Sequence, residues 1–534
     1  MSIFHRILPS IVLKQSIRGI FRPFLFMVTD AYNTSSESNQ TAIVTAICDF
    51  MRSDHNWESL NRKFGAVEIS SAVVECVLMR MSDAKGALSF FHWSAQRRKC
   101  SHEMHLYCLM VHILVRGALE IDAQALLESL VKKSANVSPR FFIVDSLLSS
   151  YNTSTSTPLV FDFLVRAYAR LRIVEIGLDV CCYLKEKGFS LTLATLNSLI
   201  HVAHKARKFD LAWKVFEHLH ERRIIPNSTT LEAMVSSLCK EGQLQSIMDV
   251  LDQILGKKPS PLVVVNSNLV IKILKEGRTE AGLRLLNQML LSDMITDSVA
   301  FSLSIYAKAN LGDLQSSLAL YEEMIKRGLN RNSFVYTALI RGYCINGRIN
   351  EAHKMLQEMQ SLNMGAYSEA FNTLVEATSD AKRSLRLCEE MVKMGLCPSL
   401  SAFNEMARNL QQIDDVRKAN GLLTAMLEKG SKFKPDVSTY SHLASAFCRD
   451  DKLEEALKLY YEMEYMNLRA DLNVFTSLIN CMIRCKKQQS VEKFIRIMKN
   501  NSVIPTNSCL DDSKTDEKEK ATVLRLYNEM FPNE

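Results

Sequence analysis

Proline and glycine are scarce, with 11 Pro and 18 Gly among 534 residues. Turns that need a fixed or positive φ are therefore few, which argues against a chain of many β-hairpins and for helices. Long apolar runs are missing too. The strongest, Ile20 to Val28, is short and broken by Arg22 and Pro23, so no membrane partner is expected. The 14 Cys are scattered without paired metal-ligand spacing, which argues against a disulfide framework. Cys239, Cys344 and Cys448 hold one equivalent place late in a helix, where a small reduced thiol packs as a core residue. No glycine-rich loop is present to cradle phosphate. No H-x-E followed by P-C-x-x-C is present to hold a deaminating zinc. Cys481 and Cys485 are spaced as one face of a helix. His218, His220 and Glu221 have no further ligands near them in the chain, and Asp414, Asp415, Asp450 and Asp451 read as turn residues between helices. Neither catalysis nor a cofactor or metal is expected.

Charge is modest as well. The net charge is +7, and Arg6, Lys14, Arg18 and Arg22 supply four of those positive charges in an acid-free opening of 29 residues. A polyanion site would have to be a local stripe, not a bulk property. The basic, acid-free opening mixes Arg with apolar residues at helical spacing, so residues 1–35 read as an organelle targeting presequence. The apolar, Ser-poor start favours the mitochondrion over the chloroplast. Residues 30–40, DAYNTSSESNQ, read as a linker. Residues 36–157 form a helical N-terminal region with degenerate repeats. In it Trp57, Phe90, Phe91 and Trp93 are candidate core anchors, and Met104 to Leu130 is a weak helical hairpin.

What the chain has in abundance is one unit, repeated. Val437 to Asp471 reads as two amphipathic helices and a turn, with too little core to fold alone. Copies start at Pro158, Leu193, Ser228, Val263, Ser298, Ser333, Ser368, Leu400, Val437 and Leu472, at intervals of 35 residues apart from one of 32 and one of 37. The fourth place is aromatic in Phe161, Phe301, Tyr336, Phe371, Phe403, Tyr440 and Phe475. A methionine column runs through Met289, Met324, Met359, Met391, Met426, Met463 and Met498. These columns are the packing seam of an all-α solenoid of about 10–12 helix-turn-helix repeats spanning 158–506. Residues 507–534 would be a linker and a capping helix, ATVLRLYNEMF.

The units SFVYTALIRGYCINGRINEAHKMLQEM and VSTYSHLASAFCRDDKLEEALKLYYEM, with SLCKEGQL and the loops RRIIPN, KMGLCPS and KFKPD, resemble the pentatricopeptide repeat of plant organelle proteins, P-type. The resemblance implies a right-handed superhelix that binds single-stranded RNA, one base per repeat. In that family the fifth residue of a repeat's first helix and the last residue of the unit set base preference, and the second residue packs on the bases. Hydrogen-bonding chemistry makes the rule reasonable. A carboxylate only accepts and so suits the ring N–H of guanine or uracil; an amide can donate to the ring nitrogen of adenine or cytosine.

Carried over residue by residue, Asn197 with Asn227 suggests a pyrimidine, Ser267 with Asp297 guanine, and Ser302 with Asn332 adenine. Asn372 with Ser399 suggests cytosine, Asn404 with Asp436 uracil, and Ser441 with Asp471 guanine. The repeats at 158, 228, 333 and 472 depart from the rule, and Glu232 places a carboxylate where a base would lie. The expected core is Y-x-G-A-x-C-U-G. Val264, Val299 and Phe334 are the apolar base-packing candidates, which places the tightest contact at repeats 263–367. Phosphate attraction would come from Lys205, Lys240, Lys275, Lys308, Arg341 and Arg449. Asp, Asn and Ser directly before a helix are also the preferred N-caps, whether or not RNA is present. Two roles follow: an RNA-binding factor for organelle transcripts, acting in stability, processing, splicing, translation or recruitment of an editing factor, or a helical scaffold in a mitochondrial ribosome or other assembly. Other organelle RNA-processing proteins are further candidate partners.

Overall fold

The computed structural model describes residues 34–53, 57–65, 67, 69–96, 102–134, 140–152, 154, 156–365, 367–410, 413–428, 433–501, 503 and 514–531. All regular structure among them is α-helical. The chain divides into two compact units at Leu171 and Arg172, inside the first regular repeat. The expected presequence lies almost wholly outside the described residues, and so does the side chain of Trp57.

The first unit holds α1 (Thr34–Ser53), α2 (Trp57–Phe64), α3 (Ser71–Arg80), α4 (Ala84–Ala95), α5 (Met104–Arg116), α6 (Glu120–Ser134), α7 (Phe142–Tyr151) and α8 (Leu159–Arg170). Helix α1 already begins at Thr34, where the polar composition reads as linker. Phe90 and Phe91 are fully buried as expected, whereas Trp93 is half-buried. Helix α5 is the centre of this unit, packing on α3, α4, α6, α7 and α8. Its buried His112 bonds the Leu147 carbonyl and the Ser150 hydroxyl of α7, each at 3.1 Å. Burial pushes the His112 pKa down to about 4, so the ring is neutral at physiological pH.

In the second unit, α9 (Val174–Glu186) is followed by nine helical hairpins. First helices are α10 (Leu193–Lys205), α12 (Ser228–Glu241), α14 (Pro261–Lys275), α16 (Asp297–Asn310), α18 (Ser333–Ile345), α20 (Tyr367–Ala377), α22 (Leu400–Asn409), α24 (Val437–Arg449) and α26 (Leu472–Arg484). Each begins within two residues of the start expected from the sequence period. Second helices are α11 (Phe209–Glu221), α13 (Leu244–Leu255), α15 (Thr279–Leu291), α17 (Leu314–Lys326), α19 (Ile349–Ser361), α21 (Ala381–Lys393), α23 (Ile413–Glu428), α25 (Leu453–Tyr465) and α27 (Gln488–Asn500). First helices pack in series from α10 to α26, and α28 (Lys514–Met530) packs on α26 with Val523 and Tyr527 buried. The closing helix therefore starts before the Ala521 expected from its apolar pattern.

Both seam columns are buried throughout: the seven aromatics and the seven methionines are at most 2% exposed. The backbone repeats with the side chains. Residues 207, 242, 277, 312 and 347 recur every 35 positions at positive φ, each just past a first helix. Gly fills this left-handed position at 242, 277, 312 and 347, where the chain must reverse after the helix. Three thiols expected in one core column diverge: Cys448 is buried, Cys344 half-buried and Cys239 exposed.

Cys239 belongs to an irregular repeat, 228–262. Helix α13 packs on α16 and α18 and makes little contact with its own partner α12. The helices on either side close over the place it leaves. Asp210 of α11 pairs with Lys272 at 2.6 Å, Arg278 pairs with Glu217, and the Gln288 amide donates to the His220 carbonyl at 2.6 Å. These partners are 61 to 68 residues apart, two repeats instead of one. The eighth-place apolar column shows the loss: Ile200, Val270 and Ile305 are fully buried, whereas Val235 in α12 is only half-buried.

Candidate nucleic-acid interface

Fifth and last residues of a repeat lie 27 to 32 positions apart in sequence, and the hairpin folds them together. The Asn197 amide donates to Asn227 Oδ1 at 3.2 Å and the Asn404 amide to Asp436 Oδ1 at 3.1 Å. The Asn332 amide donates to Ser302 Oγ at 3.1 Å, and Asn372 Oδ1 accepts from the Ser399 backbone N–H at 2.9 Å.

The last residues are helix caps as well. Asn227, Asn332, Ser399, Asp436 and Asp471 each accept from a backbone N–H in the first turn of the following helix. Capping and presentation to a ligand are compatible, because the atoms divide. Asp436 Oδ1 takes the Thr439 amide and hydroxyl, both at 2.8 Å, together with Asn404. Its other oxygen remains the acceptor able to face a ring N–H. Burial raises the Asp436 pKa, but these donors outweigh it and hold the carboxyl below its ordinary value. In Asn227 the carbonyl oxygen takes the Thr230 amide at 3.0 Å, so the amide is turned outward as a donor. Asp297 differs: it is the exposed first residue of α16, and Thr296 occupies the cap position.

Accessibility separates the pairs. The second residue of a first helix is exposed at Ala194, Thr229, Glu369, Ser401, Ser438 and Asn473. It is buried at Val264 and Val299, 4% and 0% exposed, and half-buried at Phe334. Ser267 and Ser302 are also fully buried, and Ser267 Oγ has no hydrogen-bond partner. Helix α13 is the extra neighbour of these helices, set against α14, α16 and α18. At repeats 263–367, expected to make the tightest contact, Val264 and Val299 are thus buried within the protein and Phe334 is half-buried. Glu232 was a signal of irregularity in that repeat, although nothing in the apolar spacing of α13 says what its face meets.

The basic candidates are partly spoken for. Arg341 pairs with Glu369 at 2.9 Å and Lys308 with Asp313 at 3.5 Å. Arg449 donates to the Leu410 carbonyl at 2.7 Å, and Lys240 meets the His204 ring at 2.9 Å. Lys205 and Lys275 are exposed. His218 and His220, one expected to lack further ligands as much as the other, are buried with pKa values pushed down to about 4 by burial.

A serial array of capped helical hairpins with juxtaposed fifth and last residues is the architecture of a helical-repeat protein. Family models described as pentatricopeptide repeat-containing protein, PPR repeat and PPR repeat family match residues 194–324, 327–360 and 435–484. The chain carries pentatricopeptide repeats in these segments. It is similar to a mitochondrial pentatricopeptide repeat-containing protein of Arabidopsis thaliana, 42% identical over 43% of each chain. A second pentatricopeptide repeat-containing protein of that plant is 26% identical over 44% of this chain and 48% of its own length. The chain thus spans less than half the length of these two relatives. A small ribosomal subunit protein of the same plant is 21% identical over 60% of this chain and 76% of its own. Among solved structures, a pentatricopeptide repeat protein from maize aligns over 93% of this chain and 67% of its own, with 16% identity and a TM-score of 0.39.

Proposed function

We propose that the chain binds single-stranded RNA in mitochondria and that reading is centred on the repeats from 368 to 471. The observation that carries this is the pairing of fifth and last residues, with the Asn372–Ser399 and Asn404–Asp436 pairs hydrogen-bonded and partly exposed. Ser441, itself 7% exposed, and Asp471 would extend the reading by the family rule, giving C-U-G as the central trinucleotide, with a pyrimidine further 5′ at Asn197 and Asn227. A mitochondrial site of action rests on the name of the 42%-identical relative and the basic opening of the chain. The role is occupancy: bound RNA is held single-stranded. Binding of the full chain to RNA containing C-U-G, against the same RNA with that trinucleotide scrambled, tests it. Equal affinity for both would overturn the proposal.

A second reading, a protein scaffold, has two observations in its favour. The likeness to a ribosomal subunit protein extends over 60% of the chain. An open groove of about 700 Å³, lined among others by Leu427, Leu457, Tyr461 and Tyr465, offers apolar surface to a partner. Recovery of the chain in ribosomal fractions after nuclease treatment, with no RNA cross-linked to residues 368–471, would favour it.

A further inference from the structure

Near the end of the second unit two cysteines and a carboxylate converge, with a third cysteine against one of them. Cys481 and Cys485, one turn apart on α26, place their sulfurs and a carboxylate oxygen of Asp451 all within 4.8 Å of one another. Cys448, in the last turn of α24, hydrogen-bonds Cys481. Cys448 and Cys481 are buried at 2% and 0% exposure, while Cys485 is half-buried and opens the cluster to solvent. Asp451 sits at φ 55 in the turn after α24, a left-handed position that turns its carboxylate toward α26. The Arg484 guanidinium holds Asp451 Oδ1 at 2.7 Å, which fixes the carboxylate in place.

We propose that Cys448, Cys481, Cys485 and Asp451 form a binding site for a thiophilic divalent cation, zinc above all. Three thiolates and one carboxylate make a closed tetrahedral set, the form structural zinc sites take. Zn–S bonds of about 2.3 Å set sulfurs about 3.8 Å apart, so Cys481, Cys485 and Asp451, within 4.8 Å of one another, need only a small contraction, and Cys448 would join through its contact with Cys481. Thiolates are the ligating form. Binding would release the thiol protons. The Arg484 contact to Asp451 is the kind of outer support that fixes a ligand's orientation. A bound ion would tie α24 to α26 and so set the angle between the last two repeats, whose opposite ends carry Ser441 and Asp471.

The test uses the full chain, reduced and freed of metal, titrated with Co²⁺ and then Zn²⁺. One Co²⁺ per chain should bind with thiolate-to-cobalt charge transfer and the strong visible bands of tetrahedral coordination, and one Zn²⁺ should displace it. Cys481→Ser and Cys485→Ser should each abolish those bands. Asp451→Asn should weaken binding tenfold or more, and Cys388→Ser, buried elsewhere, should leave it unchanged. Cys485→Ser alters the half-exposed ligand, so it reports on binding even if Cys481→Ser fails to fold. Absence of the bands in the unsubstituted chain, or their survival in Cys485→Ser, would overturn the proposal. So would a Cys448–Cys481 or Cys481–Cys485 disulfide in protein alkylated directly in cells.

Discussion

The Asn404 amide donates to Asp436 Oδ1 at 3.1 Å across 32 residues. The same carboxylate oxygen caps α24, so one atom does structural work and leaves the other to a ligand. Asp436→Asn keeps an N-cap of equal quality while exchanging an acceptor for a donor. Combined with Asn404→Ser, it should convert the preference at that position from uracil to adenine. Competition binding with RNAs differing at that single base reads the outcome. An unchanged preference would remove this pair from the reading set.

The cap itself is measurable. Asp436→Ala should destabilise the chain by about 1 kcal/mol, whereas Asp436→Asn should be nearly neutral in urea unfolding. Because the folded pKa of Asp436 is depressed, its contribution is full at neutral pH. It should fade as pH falls through the ordinary aspartate range, near 4. The Asp436→Asn chain should lack that part of the acid response.

Three buried histidines set a second pH window. His112, His218 and His220 are held near pKa 4 by burial. Their unfolded forms protonate near 6.5, so between the two values the unfolded chain binds more protons and stability falls as pH drops. Thermal unfolding should occur at lower temperature at pH 5 than at pH 7.5. His220 meets Phe216 edge to face with ring centroids 4.7 Å apart, and His220→Phe should reduce the difference.

Helix α13 turns Ile247, Leu251 and Ile254 inward on one face. Leu251→Ala should cost about 2–5 kcal/mol if measured on the cooperative unit. It should also speed hydrogen exchange in α13 first, and then at the N-terminal turn of α16 around Val299. If RNA reading extends to the middle repeats once α13 is loosened, the same variant should gain affinity for RNA carrying G-A upstream of C-U-G. Unaltered exchange in α16 would show that α13 does not cover it.

Much of the fold was legible because the repeat is a covalent regularity. Helix starts, the aromatic and methionine seams and the caps all follow from residue type at a 35-residue spacing, and local rules of helix capping and amphipathicity act within one repeat. The juxtaposition of Asn197 with Asn227 and of Asn404 with Asp436 followed from the family pattern in the same way. Two features did not. An amphipathic face such as Ile247–Leu251–Ile254 states that a helix must be buried, but the hydrophobic effect has no direction, so the same pattern serves an ordinary second helix or one laid across α16 and α18. The cysteines of α24 and α26 are 33 residues apart and separately resemble small core residues; only packing of one first helix on the next brings their sulfurs to Asp451. Short-range periodicity thus determined what the units are, and long-range packing alone decided which reading residues stay open to solvent and where the thiols meet.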